Sequence, residues 1–486
     1  MMLLSDILLN IKTESVLGSL AHPVESLIFD SREANSSSVF FAIKGSATDG
    51  HLFVQQAHDK GCRIFVLQNN IPDLSDSTII KTSDTSALLA SMSCNFFENP
   101  SKKLKLIGVT GTNGKTTCTS LLYKLFSDLG YKCGLISTVV NKIGSTDIVA
   151  THTTPDPVSL NRLLAEMVTE NCTHCFMEVS SHAIHQNRIS GLNFSGAVFT
   201  NITHDHLDYH KTFSEYIRVK KTFFDLLPAT SFALVNTDDK NGMIMLQNTL
   251  ASKHSFALKT PADFKGKVME NEFTGLVIKI NGMEVYSRLV GEFNAYNLLA
   301  VYGVSLLLEE DELEVLRTMS LLESVEGRFQ YVQSTKGITA IIDYAHTPDA
   351  LDNVLKTING IRKGDAKVIT IIGCGGDRDK SKRPLMAKIA CDKSTTVLLT
   401  SDNPRTENPE SILLEMEAGL DDIEKQKSIT IQDRKQAIKT AILLANTGDI
   451  ILIAGKGHEK YQEIMGVRHD FDDLKITENM FNELNK

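Results

Sequence analysis

The sequence predicts an α/β protein of three domains. A small N-terminal α/β domain spans residues 1–100. A central P-loop domain with a mostly parallel sheet spans 101–331, and a C-terminal Rossmann-like α/β domain spans 332–486. Three observations carry this prediction. A length of 486 residues allows about three domains. An apolar run, a glycine-lysine-threonine loop and an amphipathic stretch follow one another over residues 104–130. Beyond residue 333, four short apolar strands each run straight into a polar segment containing glycine or proline.

In chain order, residues 1–100 mix short strands and helices and end in the loop Glu98-Asn99-Pro100-Ser101, which sets the first boundary. Leu104 to Val109 reads as a buried strand. Cys118, Leu121, Leu122, Leu125 and Leu129 then fall at helical spacing, and Gly130 offers a C-terminal stop. Cys175–Val179, Ala197–Thr200 and Phe232–Asn236 are further strands, and their alternation with helices implies a parallel sheet covered on both faces. Leu276–Ile280, Asn281-Gly282 and Met283–Tyr286 predict a hairpin on a type I′ turn, followed by a helix over Asn294 to Leu308. Ile338–Ile342, Val368–Ile372, Val397–Thr400 and Ile450–Ala454 are the strands of the third unit. Ligands of open α/β sheets sit beyond the carboxyl ends of strands, so the four polar segments there predict one shared site.

The loop Thr110-Gly111-Thr112-Asn113-Gly114-Lys115-Thr116-Thr117 is built to take a nucleotide phosphate. Its backbone N–H groups and the following helix N-terminus favour anions, Lys115 would reach the outer phosphates, and the Thr116 hydroxyl suits Mg²⁺. One position departs from the usual spacing, because Val109 stands where a glycine is expected. Glu178, at a strand end, is a natural Mg²⁺ ligand, the alternative being a merely exposed carboxylate. His204-Asp205-His206-Leu207-Asp208-Tyr209-His210 places three histidines and two carboxylates in seven residues. These residues alone leave zinc open, while a neighbouring nucleotide favours Mg²⁺.

Composition excludes several classes. Apolar residues make up 42% and charged residues 22%, as in an ordinary globular protein. The formal charge of −9 argues against a nucleic-acid partner, which needs a basic footprint. No apolar stretch approaches the roughly 20 residues of a membrane helix, so no membrane partner is expected. Met1-Met2-Leu3-Leu4-Ser5-Asp6 has no basic leader, and eight scattered cysteines fit a reducing compartment; a cytoplasmic monomer is the expectation. Cys172-Thr173-His174-Cys175 lacks a second ligand pair and reads as structural.

The motifs taken together resemble the Mur ligases, ATP-dependent amide-forming enzymes of peptidoglycan precursor synthesis. They are GTNGKTT at 111–117, MEVSSHAIHQNR at 177–188, HDHLDYH at 204–210, GEFNAYN at 291–297, EGR at 326–328, DYAHTPDAL at 343–351, GCGGDRDKSKRP at 373–384 and AGKGHE at 454–459. The family's loop has the spacing seen here, which accounts for Val109. Within the family the likeness is to members that add meso-2,6-diaminopimelate to the D-glutamate γ-carboxylate of UDP-N-acetylmuramoyl-L-Ala-D-Glu through an acyl phosphate.

The resemblance implies roles residue by residue. ATP would be held by Gly111, Thr112, Asn113, Gly114, Lys115, Thr116 and Thr117, with Asn294, Asn297 and Arg328. Lys115, Glu178, His206 and Lys220 would be the catalytic group, and Thr116, Glu178, His206 and Lys220 the Mg²⁺ ligands. Lys220 would carry an N-carboxyl group, since a free ammonium would repel the metal whereas a carbamate supplies oxygens to it. The muramoyl dipeptide would meet His152, Thr153, Thr154, Ser180, Gln186 and Arg188. Its uridine diphosphate would meet Phe29, Ser31, Ser46, Ala47 and Thr48. Diaminopimelate would meet Arg378, Asp402, Asn403, Pro404, Arg405, Gly455 and Glu459. Arg405 is chemically suited to it, because a guanidinium grips the far carboxylate that lysine lacks. Arg328 and Asp343 would line the domain junction. A folylpolyglutamate synthetase, a lysine-adding ligase and a nucleotide-binding regulator without catalysis are the rivals weighed against this reading.

Overall fold

The computed structural model describes residues 2–45, 48–69, 74 and 76–486, and all but the side chain of Asp208 within them. Three sheets dominate, each built from its own stretch of chain. The first has five strands in the order Ser15–Leu17, Thr78–Lys81, Ile64–Leu67, Ser38–Phe41, Ser26–Ile28. All its pairings are parallel except that of Ser15–Leu17 with Thr78–Lys81. The helix Thr85–Phe96 packs Leu88, Leu89 and Met92 on one face, while Phe40, Phe65 and Val54 fill the other.

The second sheet has eleven strands. At its centre Cys133–Ile136, His174–Glu178, Lys105–Thr110, Gly196–Phe199 and Phe232–Asn236 lie side by side, all parallel. His174–Glu178 is buried at every position because helices cover both faces, which is why it reads as a continuous run rather than an alternation. The helix Lys115–Asp128 lays Leu121, Leu122, Leu125 and Phe126 on one face of this sheet. Each such buried side chain contributes about 1.5–3 kcal/mol of apolar transfer. Antiparallel strands close both edges. On one of them Gly275–Ile280 pairs with Met283–Ser287, and Ile280 faces Met283 across Asn281 (φ 46°) and Gly282 (φ 90°). Two consecutive positive φ values are what the type I′ turn demands. The helix after it runs Glu292–Leu307.

The third sheet orders its strands Gln330–Gln333, Thr339–Asp343, Ile450–Ala454, Val368–Ile372, Thr396–Leu399, Ser428–Thr430. Only the first pairing is antiparallel. The four strands expected from the sequence are therefore immediate neighbours, and their carboxyl ends share one edge. A hairpin of Tyr461–Ile464 and Val467–Asp470, which the sequence did not suggest, lies beside that edge through a bridge from Ile464 to Arg405. All eight cysteines are free and buried, Cys172 and Cys175 among them. No helix among the described residues is long and apolar enough to cross a membrane.

Candidate active site

The loop after Lys105–Thr110 is held rigidly by its neighbours. The Asn113 N–H donates to Asn201 Oδ1 at 2.9 Å, and the Thr200 hydroxyl donates to the Asn113 carbonyl at 2.6 Å. A Cβ at Gly111 would fall 1.9 Å from the Thr200 hydroxyl, and one at Gly114 (φ 87°) 2.6 Å from Asn297 Oδ1. Glycine is the residue both positions can hold. Lys115 folds back, its Nζ donating to the carbonyls of Gly111 (3.0 Å) and Thr112 (2.9 Å). Lys220, on the helix Phe213–Asp225, is 1% exposed and donates to the same Gly111 carbonyl at 3.0 Å. Two amines, that of Lys220 fully buried and that of Lys115 partly so, thus converge on one oxygen. Burial lowers the pKa of both, and Lys115 pushes Lys220 further, well below the ordinary lysine range. Lys221 faces away and pairs with Asp225.

Glu178 ends the strand beside the loop and is fully buried. Its carboxylate accepts the Thr138 N–H at 2.7 Å and the Thr138 hydroxyl at 3.2 Å. The Thr154 hydroxyl donates to the Glu178 carbonyl, and Arg188 binds the Thr154 carbonyl at 2.7 Å while gripping Gln186 Oε1 with two N–H groups. Ser180 caps the short helix Ser181–His185, which leads into Gln186 and Arg188. Thr153 meets the Thr138 hydroxyl at 3.0 Å, so Thr153, Thr154, Ser180, Gln186 and Arg188 are gathered around Glu178. His152 is exposed and bonds only its neighbour Thr151 among the contacts resolved.

His206 sits at φ 54° with its ring beside those of His182 and Tyr216, and pairs with Asp205 at 3.3 Å. Burial alone would raise Asp205, but His206, His346 and Lys382 hold its carboxyl down. Among the described residues, no three His, Cys, Asp or Glu side chains form a ready-made metal cage.

A cavity of about 530 Å³ opens beside the loop, lined by Asn113, Gly114, Thr117, Phe293, Tyr296, Asn297, Arg328, Asp349 and Val354, among others. Asn297 reaches its wall. Asn294 lies behind, its amide donating to the Val290 carbonyl and its oxygen accepting from Asn297. The cavity is shared with the third sheet. Asn113 donates to Asp349 at 2.8 Å, and Arg328, stacked on Tyr344, donates to the Thr116 hydroxyl at 3.0 Å. The Asp343 carboxylate receives the Phe329 N–H and anchors the Arg328 segment.

At the third sheet's edge the four strand ends do converge. Asn403 donates to Glu459 (2.7 Å) and accepts from Lys456 (3.0 Å), a lysine with no exposed surface. Burial raises the pKa of Glu459, and the nearby Asp402 charge raises it further. A Cβ on Gly455 would lie 2.5 Å from Asp402. Arg405 (φ 51°) lays its guanidinium on the Gly376 carbonyl at 2.7 Å, which among the described residues leaves most of its donors uncommitted. Pro404 is buried, and Arg378 is exposed on the facing loop.

The description Mur ligase middle domain matches residues 109–305, and Mur ligase, glutamate ligase domain, matches residues 327–457. The chain belongs to the Mur ligase family. A UDP-N-acetylmuramoyl-L-alanyl-D-glutamate–2,6-diaminopimelate ligase of Cytophaga hutchinsonii is 53% identical over 487 residues, 100% of either chain. Its namesake in Bacteroides fragilis is 49% identical over 481 residues, 99% of each chain. A solved structure of a ligase with that name shares 31% identity and a TM-score of 0.71, covering 100% of this chain and 99% of its own.

In this Mur ligase the N-terminal positions are less tightly organised. Ser31 is buried and donates to Gln56 at 2.8 Å, whereas Phe29 is 46% exposed and Thr48 is exposed. Ser46 and Ala47 lie outside the described residues. Sequence reasoning missed Thr138, Asn201, Asp349 and Lys456 as parts of the site. Lys456 and Asp349 had a local signal, each standing in a motif that follows a strand, AGKGHE at 454–459 and DYAHTPDAL at 343–351.

Proposed function

We infer that this Mur ligase joins meso-2,6-diaminopimelate to the D-glutamate γ-carboxylate of UDP-N-acetylmuramoyl-L-alanyl-D-glutamate, using ATP, in peptidoglycan precursor synthesis. The observation that carries this reading is the end-to-end identity with ligases named for that reaction. Residues 1–100 would bind the uridine end, 101–331 ATP, and 332–486 the amino acid.

The chain's own groups divide the work. Loop amides and Lys115 take the ATP phosphates, with Lys115 exchanging the Gly111 and Thr112 carbonyls for phosphate oxygens. The γ-carboxylate then attacks the γ-phosphorus, the bond to ADP breaks, and an acyl phosphate remains. The amine of diaminopimelate attacks the acyl carbon; an amide forms, phosphate leaves, and the nitrogen loses a proton. Positioning and charge neutralisation dominate such transfers, so Lys115, Arg328 and the loop matter more than any single base. A site shared by two domains implies closure during turnover.

Hard oxygen donors suit Mg²⁺, and the set here fits: the Thr116 hydroxyl, the buried Glu178 carboxylate and carboxylated Lys220, with His206 nearby. When bound, the ion would neutralise charge on the transferring phosphoryl group. Lys220 is prepared for carboxylation because burial favours its neutral amine, the form whose lone pair bonds CO₂ with loss of a proton. Arg405 would read the far carboxylate of diaminopimelate, and Glu459 an ammonium.

Measuring ADP release with each substrate omitted tests the reading. Release should require the muramoyl dipeptide, and full-rate release without it would contradict the coupled mechanism.

A further inference from the structure

The loop that carries Gln186 and Arg188 has a second face, turned away from Glu178. On that face Asn187, at φ 57°, donates its amide to the Asp84 carboxylate at 2.9 Å. The Asp84 carboxylate only accepts, which fixes the NH₂ side of the amide towards it, and the amide oxygen meets the Ser190 hydroxyl. Asp84 belongs to the first sheet's unit. It caps the helix Thr85–Phe96, one oxygen accepting the Ala87 N–H at 2.9 Å while the other meets Asn187. Two further contacts fasten the same junction. Gly191 sits so close that a Cβ would lie 3.1 Å from Cys94 Sγ, and that thiol meets the Ser190 carbonyl at 3.8 Å.

Asp84 stands at the carboxyl edge of its parallel sheet, the edge that also presents Phe29, Ser31 and the loop leading to Thr48. Its neighbour Thr85 donates its hydroxyl to the Ala42 carbonyl, at the start of that loop. A chain of direct contacts therefore runs from the Ala42 segment through Thr85, Asp84 and Asn187 to the residues that grip Thr154 beside Glu178.

We propose that Asp84 and Asn187 are positioning residues that lock the uridine-binding unit to the muramoyl-peptide loop. Through this lock, binding energy from the uridine end is used to place the D-glutamate γ-carboxylate. The inference rests on the substrate assignment above. Remote binding energy serves chemistry only when the remote and reacting ends are held in fixed register. One charge-assisted hydrogen bond between two domains is a means of fixing it.

The pair permits a swap test. Asp84→Asn takes the charge out of the bond and leaves at most a neutral amide pair, formed only if the Asn187 amide turns over. Asn187→Asp sets two carboxylates face to face. The double variant Asp84→Asn/Asn187→Asp restores the bond with the roles reversed and keeps both the cap and the Ser190 contact. ADP release would be measured with UDP-N-acetylmuramoyl-L-Ala-D-Glu and with N-acetylmuramoyl-L-Ala-D-Glu, which lacks the uridine diphosphate. Melting temperatures of all variants would be recorded alongside. Asn187→Asp should lower kcat/KM for the full substrate about tenfold and Asp84→Asn by less, and neither should change that for the truncated one. The swap should restore the full-substrate value. Equal losses on both substrates, or a folded swap variant that does not recover, would overturn the lock. A wild-type chain that releases no ADP with the full substrate would overturn the substrate assignment itself.

Discussion

The two strand-end sites are built on opposite charge logic. Around Gly111, two lysines share a carbonyl oxygen, and desolvation pushes both towards the neutral form. Around Asn403, Glu459 pairs with one buried lysine, and burial with the nearby Asp402 charge pushes Glu459 towards protonation. Under the function proposed above, Lys115 would meet phosphate anions at the first site, while Glu459 would meet an ammonium and Arg405 a carboxylate at the second.

That contrast can be broken, beginning with its strongest element. Lys115→Ala removes the cation that would follow the transferring phosphoryl group, and kcat for ADP release should fall about 10²–10³-fold. Lys220→Ala should cost about 100-fold, with part of the activity returning when a small carboxylate is added. A ¹³C-NMR carbamate signal after equilibration with ¹³C-bicarbonate, lost in that variant, would confirm the modification. Arg405→Ala should raise KM for diaminopimelate at least about tenfold with kcat little changed; an unchanged KM would shift the role to Arg378. The smallest effect is a pH dependence. Glu459 must be ionised to hold an ammonium, and its pKa is raised. KM for diaminopimelate should therefore climb on acidification from a pH above the usual carboxylate range, and Glu459→Gln should flatten that limb.

Much of this was legible in the sequence. The loop at 110–117 and the polar segments after four strands announce themselves because strand, turn and helix signals are local. The hairpin turn at Asn281-Gly282 is legible for the same reason. What was not legible depends on which strands adjoin. Thr138 reaches Glu178 because Cys133–Ile136 pairs with His174–Glu178, and Asn201 reaches the loop because Gly196–Phe199 lies on its other side. Asp349 meets Asn113 across 236 positions of chain. Asn294 and Asn297 look alike in the motif, yet one helical turn separates a cavity wall from the support behind it.

The central claim is that the second site selects a diacid amino acid for attachment to an acyl phosphate made at the first. The direct test is ATP-dependent ADP release with UDP-N-acetylmuramoyl-L-Ala-D-Glu, comparing meso-diaminopimelate with L-lysine. A strong preference for diaminopimelate is expected, whereas equal rates or a preference for lysine would contradict the role given to Arg405.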